Sequence, residues 1–516
     1  MVSRYPARSI GTASSSYNCD ALGSTLLLGK ARRLQPRCGL GSCALLAAVL
    51  SGCGMTPFPV LSDEDTGPVD LVRYERLVRF VQLSDAQIVD EQSPGRVTAL
   101  GNLSGSAWRP QEAYSTQLLD GAVRAVNKIH VALGAIDFVL FTGDATDNVQ
   151  RNELDWFITA FDGGTIDPLT GPDDRDVAGR PDPLLDPHAR FTAQGLYRQG
   201  VHGSAPTIPW YTVLGNHDRF AVGVFPIVDG LAGRRVAPLP LRNRIGLFLP
   251  VILDPTGRLS WAPISPARPG PPPELTLATA VASNSERRYV TDREFIAAHL
   301  TSTSQPPGHG FHADRPGQSW YSVAPVPGLR LIGLNSATPL IQLPGLVYSE
   351  GAISFPQMAF LRDELQKATR LGERVIVATH HPSDSLEPIY GTALTPQTFR
   401  TLLNGYPCVA LHVAGHWHTD VVFDRGGYVE IVTGSIIDAP QRGRIIELWR
   451  RRGPPPRPDD PGGPPMSADF QLRYRFFSHL DEIQSPGAEA SALFDDPLRP
   501  LRRVAAELAG VTLSGS

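Results

Sequence analysis

The sequence has few cysteines, almost no lysine and little net charge. Five Cys in 516 residues are too few for a disulfide-built scaffold. Lysine occurs only at Lys30, Lys128 and Lys367, so 44 of the 47 basic residues are Arg. That bias reads as codon usage, because no arginine run of the nucleic-acid-binding kind stands out. The formal net charge is −4, and no internal repeat is visible. The apolar stretch 38–50 is too short to span ~30 Å of hydrocarbon, which takes about 20 residues. Gly and Pro are abundant at 49 and 48 residues, above the usual total of about 12% but below the roughly 25–30% that signals disorder. With 42% apolar residues the chain has the material for a sizeable core, so a loop-rich globular protein is expected.

The N-terminal region reads as an address. Lys30, Arg32, Arg33 and Arg37 precede the apolar stretch, which ends in Leu50-Ser51-Gly52-Cys53. A basic region, a short apolar region and small residues before a Cys form a secretory signal, and the tetrapeptide resembles the lipobox of bacterial lipoproteins. The resemblance implies a signal peptide over 1–52 and acylation of Cys53. The protein would then be extracytoplasmic and lipid-anchored at the bacterial cell envelope, on the periplasmic side of an outer membrane if there is one. Cleavage would remove six basic residues (Arg4, Arg8, Lys30, Arg32, Arg33, Arg37) and Asp20, giving (47 − 6) − (51 − 1) = −9. That charge argues against polymeric nucleic acid as a partner. Only Cys53 and Cys408 would remain, so no disulfide would form even in a permissive compartment. The polar residues after Cys53, to about 76, read as a tether.

Beyond the tether, a single domain is expected over 77–510. Short apolar runs at 78–83, 136–141, 210–214, 329–334, 375–378 and 409–413 have the length of buried strands. Helical spacing marks 111–133 and 355–371, the second with Ser354 as a candidate N-cap. Strands alternating with helices predict an α/β core. Two Gly-, Pro- and Asp-rich stretches at about 162–206 and 219–318 lack sustained periodicity and read as excursions over one face of the domain. Late strands are expected at 444–449 and 470–477, joined by a Pro-rich loop at 451–467, with a closing helix at 496–508.

Five of the apolar runs end in metal-binding residue types. The first runs into Ser84-Asp85-Ala86-Gln87, the second into Gly143-Asp144 with Asp147 following, the third into Gly215-Asn216-His217-Asp218. The fifth ends at His380-His381 and the sixth at Gly415-His416-Trp417-His418. In open α/β sheets, ligands bind beyond the carboxyl ends of the strands. Convergence there would gather carboxylates, amides and imidazoles suited to two divalent ions about 3.5–4 Å apart. The adjacent His381 is the alternative to His380. His412, inside its strand, fits the core behind the site. Trp417 would wall the site or pack against the sheet, and Asp438 and Arg442 carry no sequence signal that places them.

These motifs, in this order from about residue 78 to 420, resemble those of the calcineurin-like metallophosphoesterases. The resemblance implies a four-layer α/β/β/α sandwich of two mixed sheets with a dinuclear metal site at strand ends. It also implies roles. Asp85, Gln87 and His418 would hold one ion, Asp144 would bridge, and Asn216, His380 and His416 would hold the second. His217 would be the catalytic imidazole and Asp147 its orienting carboxylate. The family usually has His where this chain has Gln87, which resembles a bacterial subgroup with Ser-Asp-x-Gln in the first motif. A neutral amide oxygen makes that position harder and favours Mn²⁺ or Fe²⁺ over Zn²⁺; the other reading is that Gln87 hydrogen-bonds a bound water. The implied activity is hydrolysis of small phosphomonoesters or phosphodiesters by a metal-bridging hydroxide, the excursions choosing the substrate. The alternative is a non-catalytic, ligand-binding envelope lipoprotein on a degenerate esterase fold.

Overall fold

In a computed structural model of the chain, the described residues are 69–90, 92–93, 109, 111–171, 189–229, 235–242, 248–256, 283–338, 349–387, 394–453 and 470–479. The expected signal peptide over 1–52, Cys53, most of the expected tether, most of the expected Pro-rich loop and the helix expected at 496–508 lie outside them.

Two mixed sheets carry the fold. The first contains β1 (Tyr74–Leu83), β2 (Phe138–Phe141) and β3 (Trp210–Thr212), all parallel. The second contains β4 (Tyr321–Val323), β5 (Leu329–Gly333), β6 (Arg374–Ala378), β7 (Val409–Ala414), β8 (Val421–Asp424) and β9 (Val429–Val432), in the order β4-β5-β6-β7-β9-β8. Strands β5, β6, β7 and β9 are parallel there, with antiparallel edges. Two late strands, β10 (Arg442–Arg451) and β11 (Phe470–Ser478), complete the first sheet in the order β11-β10-β1-β2-β3. The long antiparallel pairing of β10 with β1 closes the chain back onto its first strand.

Side chains alternate across a strand, and the second sheet shows what that alternation buries. Leu329 and Leu331 of β5, Ile376 and Ala378 of β6, and Leu411 and Val413 of β7 share one apolar cluster with Phe80, Val81, Phe138 and Leu140 of the first sheet. Ile332, Val375 and Val377 point the other way, into a second cluster with Leu361, Leu365, Phe399 and Leu403. Those last four belong to helices Phe355–Leu371 and Pro396–Asn404. The first cluster also takes Leu119, Ala122, Val123 and Val126 of helix Ser115–Leu133, and Leu154, Phe157 and Phe161 of helix Arg151–Asp162. Strands buried on both faces read as unbroken apolar runs, which is why the sequence shows them clearly.

Local signals explain most boundaries. Helix Arg151–Asp162 starts with a reciprocal capping box between Gln150 and Glu153. Helix Phe355–Leu371 ends at Gly372 in the left-handed conformation. Ser354 sits at its N-cap position, yet its side chain makes no capping hydrogen bond; Pro356 in the first turn supplies the start signal instead. The helix expected from residue 111 opens as a 3₁₀ turn, Glu112–Tyr114, before becoming α-helical.

The two excursions hold more regular structure than their composition suggests. The first contains the antiparallel pair Gly164–Ile166 and Phe191–Ala193. The second contains the pair Arg235–Arg242 and Phe248–Leu253 and the helix Asp292–Thr301. A buried ion pair pins both to the body: Arg287 Nε lies 2.9 Å from Asp90 Oδ2, and the Arg287 guanidinium also donates to the Thr170 carbonyl at 3.0 Å. Asp90 follows β1 by only a few residues, so each excursion is tied beside the first motif.

Candidate dinuclear metal centre

Asp85, Asp144, Asn216, His217, His380, His416 and His418 all lie at or just beyond strand carboxyl ends, and the structure brings them together. Asp85 Oδ1 is 3.2 Å from His418 Nε2 and 3.9 Å from His380 Nε2. Asp144 Oδ2 is 3.2 Å from His380 Nε2, while its Oδ1 accepts the His217 backbone N–H at 2.9 Å. His416 Nδ1 is 3.1 Å from Asn216 Oδ1, whose own Nδ2 donates to the Gly223 carbonyl at 3.0 Å and so turns the oxygen inward.

Backbone strain concentrates here. Among the described residues, nine non-glycine positions have positive φ, and five of them are Asp85, Gln87, Asp144, His416 and His418. Such conformations cost of order 1–3 kcal/mol each and persist where the surroundings over-determine them. Glycine permits the close approach of the loops. A Cβ on Gly215 would lie 2.0 Å from Asp144 Oδ1, and one on Gly415 would lie 1.9 Å from Ser84 Oγ.

A cation fits this donor set. Asp85 Oδ1 and His380 Nε2 are buried without a hydrogen-bond partner, although His418 Nε2 and Asp144 Oδ2 respectively lie 3.2 Å away. Buried polar atoms are usually paired, so these two atoms, set among further carboxylate and imidazole groups, suit a bound cation. The field points the same way. Burial opposes charge on His380, but Asp144 and Asp85 push its pKa up to about 9. Burial likewise opposes charge on His418, and Asp85 with Asp438 push it up to about 10. Burial would raise the Asp144 carboxyl, but facing His380 and His217 hold it well below the carboxylate range.

His380 and His381 differ in their bonding, although both lie with His416 in a group whose ligand atoms are within 4.8 Å of one another. His381 engages both ring nitrogens, Nδ1 at 2.8 Å from Ser336 Oγ and Nε2 at 3.2 Å from the Ser349 carbonyl. His380 fixes Nδ1 on the Thr142 carbonyl at 2.8 Å and presents Nε2 to the carboxylates. Gln87 presents its Nε2, 3.3 Å from Asp144 Oδ2 and 3.4 Å from His418 Nε2. Ligation through oxygen takes a half-turn of the amide, which exchanges two ends of nearly equal shape.

His217 stands apart from these ligand atoms. Its Nδ1 is 2.9 Å from the Asp147 carbonyl and 3.2 Å from Asp147 Oδ1. Burial opposes its charge, but Asp144 and then Asp147 raise its pKa. Asp218 serves the scaffold: it accepts Gly215 N and Thr146 N, each at 2.9 Å, locking the third loop to the second.

Two residues without a sequence signal complete the site. Asp438 Oδ2 makes a very short contact with His418 Nδ1, so His418 has its outer nitrogen held by a carboxylate and its inner one free to coordinate. Arg109, buried, places Nε 2.5 Å from Asp438 Oδ1 and Nη1 3.9 Å from Asp147 Oδ1. One guanidinium thus backs both orienting carboxylates. The remaining candidates lie outside the cluster. His412 bonds Thr379 Oγ1 at 2.8 Å in the core; Trp417 donates to Ser385 Oγ at 2.7 Å; Arg442 pairs with Asp420 at 2.8 Å.

No family model and no curated protein matches the sequence. Solved structures similar to the chain include a dimetal phosphatase from Danio rerio, 14% identical, covering 73% of this chain and 97% of that one with a TM-score of 0.37. The calcineurin-like phosphoesterase YfkN from Bacillus subtilis is 9% identical, with coverage of 84% and 98% and a TM-score of 0.28. A 5'-nucleotidase from Candida albicans is 9% identical at a TM-score of 0.29, and the match covers 84% of this chain and 59% of that chain. At this level of similarity the functional reading rests on the side chains described above.

Proposed function

We propose that the chain is a dinuclear metallophosphoesterase acting on small phosphate esters at the bacterial cell envelope. The observation that carries it is the gathering of Asp85, Asp144 and His418, and of His380, His381 and His416, each group with its ligand atoms within 4.8 Å of one another, with Asp85 Oδ1 and His380 Nε2 buried and without a hydrogen bond. Asp85, Gln87 and His418 would hold one ion, Asn216, His380 and His416 the other, with Asp144 between them. Two divalent ions there would neutralise phosphoryl charge and lower the pKa of coordinated water from 15.7 toward roughly 7. The protein's own contribution is His217, whose Nδ1 is fixed by Asp147 so that Nε2 can stabilise or protonate the departing oxygen. The division of β5, β6 and β7 between two apolar clusters supports a four-layer α/β/β/α arrangement. The Leu50-Ser51-Gly52-Cys53 sequence after a basic and an apolar stretch, and the −9 charge that cleavage there would leave, support an anchored enzyme for small substrates.

The decisive experiment is metal analysis of protein purified without chelator, together with hydrolysis of a mono- and a di-aryl phosphate under added Mn²⁺. About two equivalents of metal and turnover of at least one ester are expected. Less than one equivalent and no turnover would leave the second reading, a binding protein, which the Gln87 amide nitrogen facing Asp144 favours.

Two further outcomes follow from the electrostatics. Removing the Asp438 charge with Asp438→Asn should weaken metal affinity about 10–100-fold while the metal-loaded fold melts normally, as titration with Mn²⁺ would show. The raised pKa values of His380 and His418 favour their charged forms in the folded protein. Their stabilisation is complete below the unfolded value of about 6.5 and is lost as pH rises through about 9 to 10. Chelator-stripped protein should therefore lose melting temperature over that window. Mn²⁺ takes the place of the protons, so the loaded protein should not show the same slope.

A further inference from the structure

We propose that Gly223, at the tip of a hairpin in the second excursion, is a positioning residue for the hydrolysis: its backbone lies on the face of the His217 ring and fixes the imidazole that serves the departing oxygen. The proposal rests on the hydrolase reading above. Phe220–Ala221 pairs with Phe225–Pro226, and residues 222–224 close the hairpin. Gly223 N donates to the Phe220 carbonyl at 2.9 Å, and Val224 N to the Ala221 carbonyl at 3.2 Å. Val222 and Gly223 both have positive φ, 53° and 70°. Tight hairpins give that conformation to Asn or Gly, and a β-branched residue in it is an outlier. Strain of this kind persists where the surroundings impose it, and it clusters at functional sites. Here the core imposes it, because Ala221, Val222 and Phe225 are buried in the first apolar cluster.

The turn is pressed against His217. A Cβ on Gly223 would lie 2.2 Å from His217 Nε2, 2.3 Å from Cδ2 and 2.7 Å from Cε1. These distances are nearly equal, so the point lies over the face of the ring; on the line of an Nε2–H bond, both carbons would be distinctly farther than the nitrogen. Glycine therefore lets backbone stack on the imidazole and leaves the in-plane approach to Nε2 clear of this residue. Asp147 grips the other edge, its carbonyl 2.9 Å and its Oδ1 3.2 Å from Nδ1. A hold at Nδ1 alone leaves the ring free to swing about that edge. Backbone against the face removes that freedom. The tip is itself tied down, since the Gly223 carbonyl accepts Asn216 Nδ2 at 3.0 Å and the Asn216 carbonyl accepts Phe220 N at 2.8 Å. Placement of a reacting group matters steeply: an error of about 1 Å can cost about 10²-fold in rate.

The test is a double-mutant cycle of Gly223→Ala and His217→Ala in the full chain at saturating Mn²⁺, read by turnover of an aryl and an alkyl phosphate ester and by melting temperature. Gly223→Ala alone should lower kcat about 10²-fold on the alkyl ester, whose departing oxygen needs the proton, and about 10-fold on the aryl ester, with KM changed less than about 3-fold. In the His217→Ala background the ring is gone and the methyl has room. There Gly223→Ala should lower aryl ester turnover less than about 3-fold further, and its effect on melting temperature should shrink. Alanine at positive φ, and any damage to the hairpin, act alike in both backgrounds and so cancel. Equal fractional losses in the two backgrounds, or wild-type turnover of the alkyl ester by Gly223→Ala, overturn the proposal. The melting cycle needs no turnover and reads the contact separately from the hydrolase reading. Wild-type protein that hydrolyses neither ester overturns that reading, and the positioning role with it, even where the thermal coupling between the two residues persists.

Discussion

Asp144→Asn should strip the centre of bound metal and lower turnover by about 10³–10⁴-fold, corresponding to about 4–6 kcal/mol of lost transition-state stabilisation. The substitution keeps the shape and an acceptor for the His217 backbone N–H, so the third loop should stay in place. It removes the one carboxylate that faces His380 at 3.2 Å and Gln87 at 3.3 Å together, the position a shared ligand must occupy. It also leaves His380 buried beside a neutral amide. The apoprotein should then lose the raised His380 pKa, and with it part of the stability present at neutral pH. Metal content per chain and turnover on an aryl phosphate are the two readings. Retention of two equivalents with unaltered turnover would show that Asp144 bridges nothing.

How much of this was legible depended on the distance over which each signal acts. Strands β1, β2, β3, β5, β6 and β7 were readable because burial on two faces makes unbroken apolar runs, and the candidate ligands because they follow those runs directly; β4, β8 and β9, short and at or next to the sheet edges, were not. Helix Asp292–Thr301 was not, since Phe295 and Ile296 are nearly its whole apolar face and its start is a Thr291–Glu294 capping box inside a polar stretch. The pair Arg235–Arg242 and Phe248–Leu253 was hidden by Pro238, Pro240 and Pro250, which remove backbone donors and mark irregular or edge strands. Asp438 and Arg109 were illegible for another reason. A carboxylate that orients His418, and a guanidinium that joins it to Asp147, are set by approaches between loops far apart in sequence, and leave no spacing to read. The same holds for the Asp90–Arg287 pair, 197 residues apart, which fixes the excursions beside the site.

His217→Ala should lower turnover about 10²–10⁴-fold while leaving metal content unchanged, because the ring is held by Asp147 and the residue meets Asp144 through its backbone N–H, which alanine keeps. The size of the loss should depend on the leaving group. An alkyl ester, whose departing oxygen needs a proton, should suffer more than an activated aryl ester. The pH profile offers a sharper reading. A proton donor works only while protonated, and Asp144 and Asp147 raise the His217 pKa against the opposing effect of burial. The alkaline limb of turnover should therefore belong to His217 and vanish in the alanine variant. Asp147→Asn removes one source of that elevation and the grip on Nδ1, so it should move the limb to lower pH and reduce turnover less than His217→Ala does. A purely structural role for Asp147 would lower activity at every pH without moving the limb. If both variants keep the wild-type profile, the proton at the departing oxygen comes from elsewhere, and the pairing of His217 with Asp147 serves only to hold the third loop against the second.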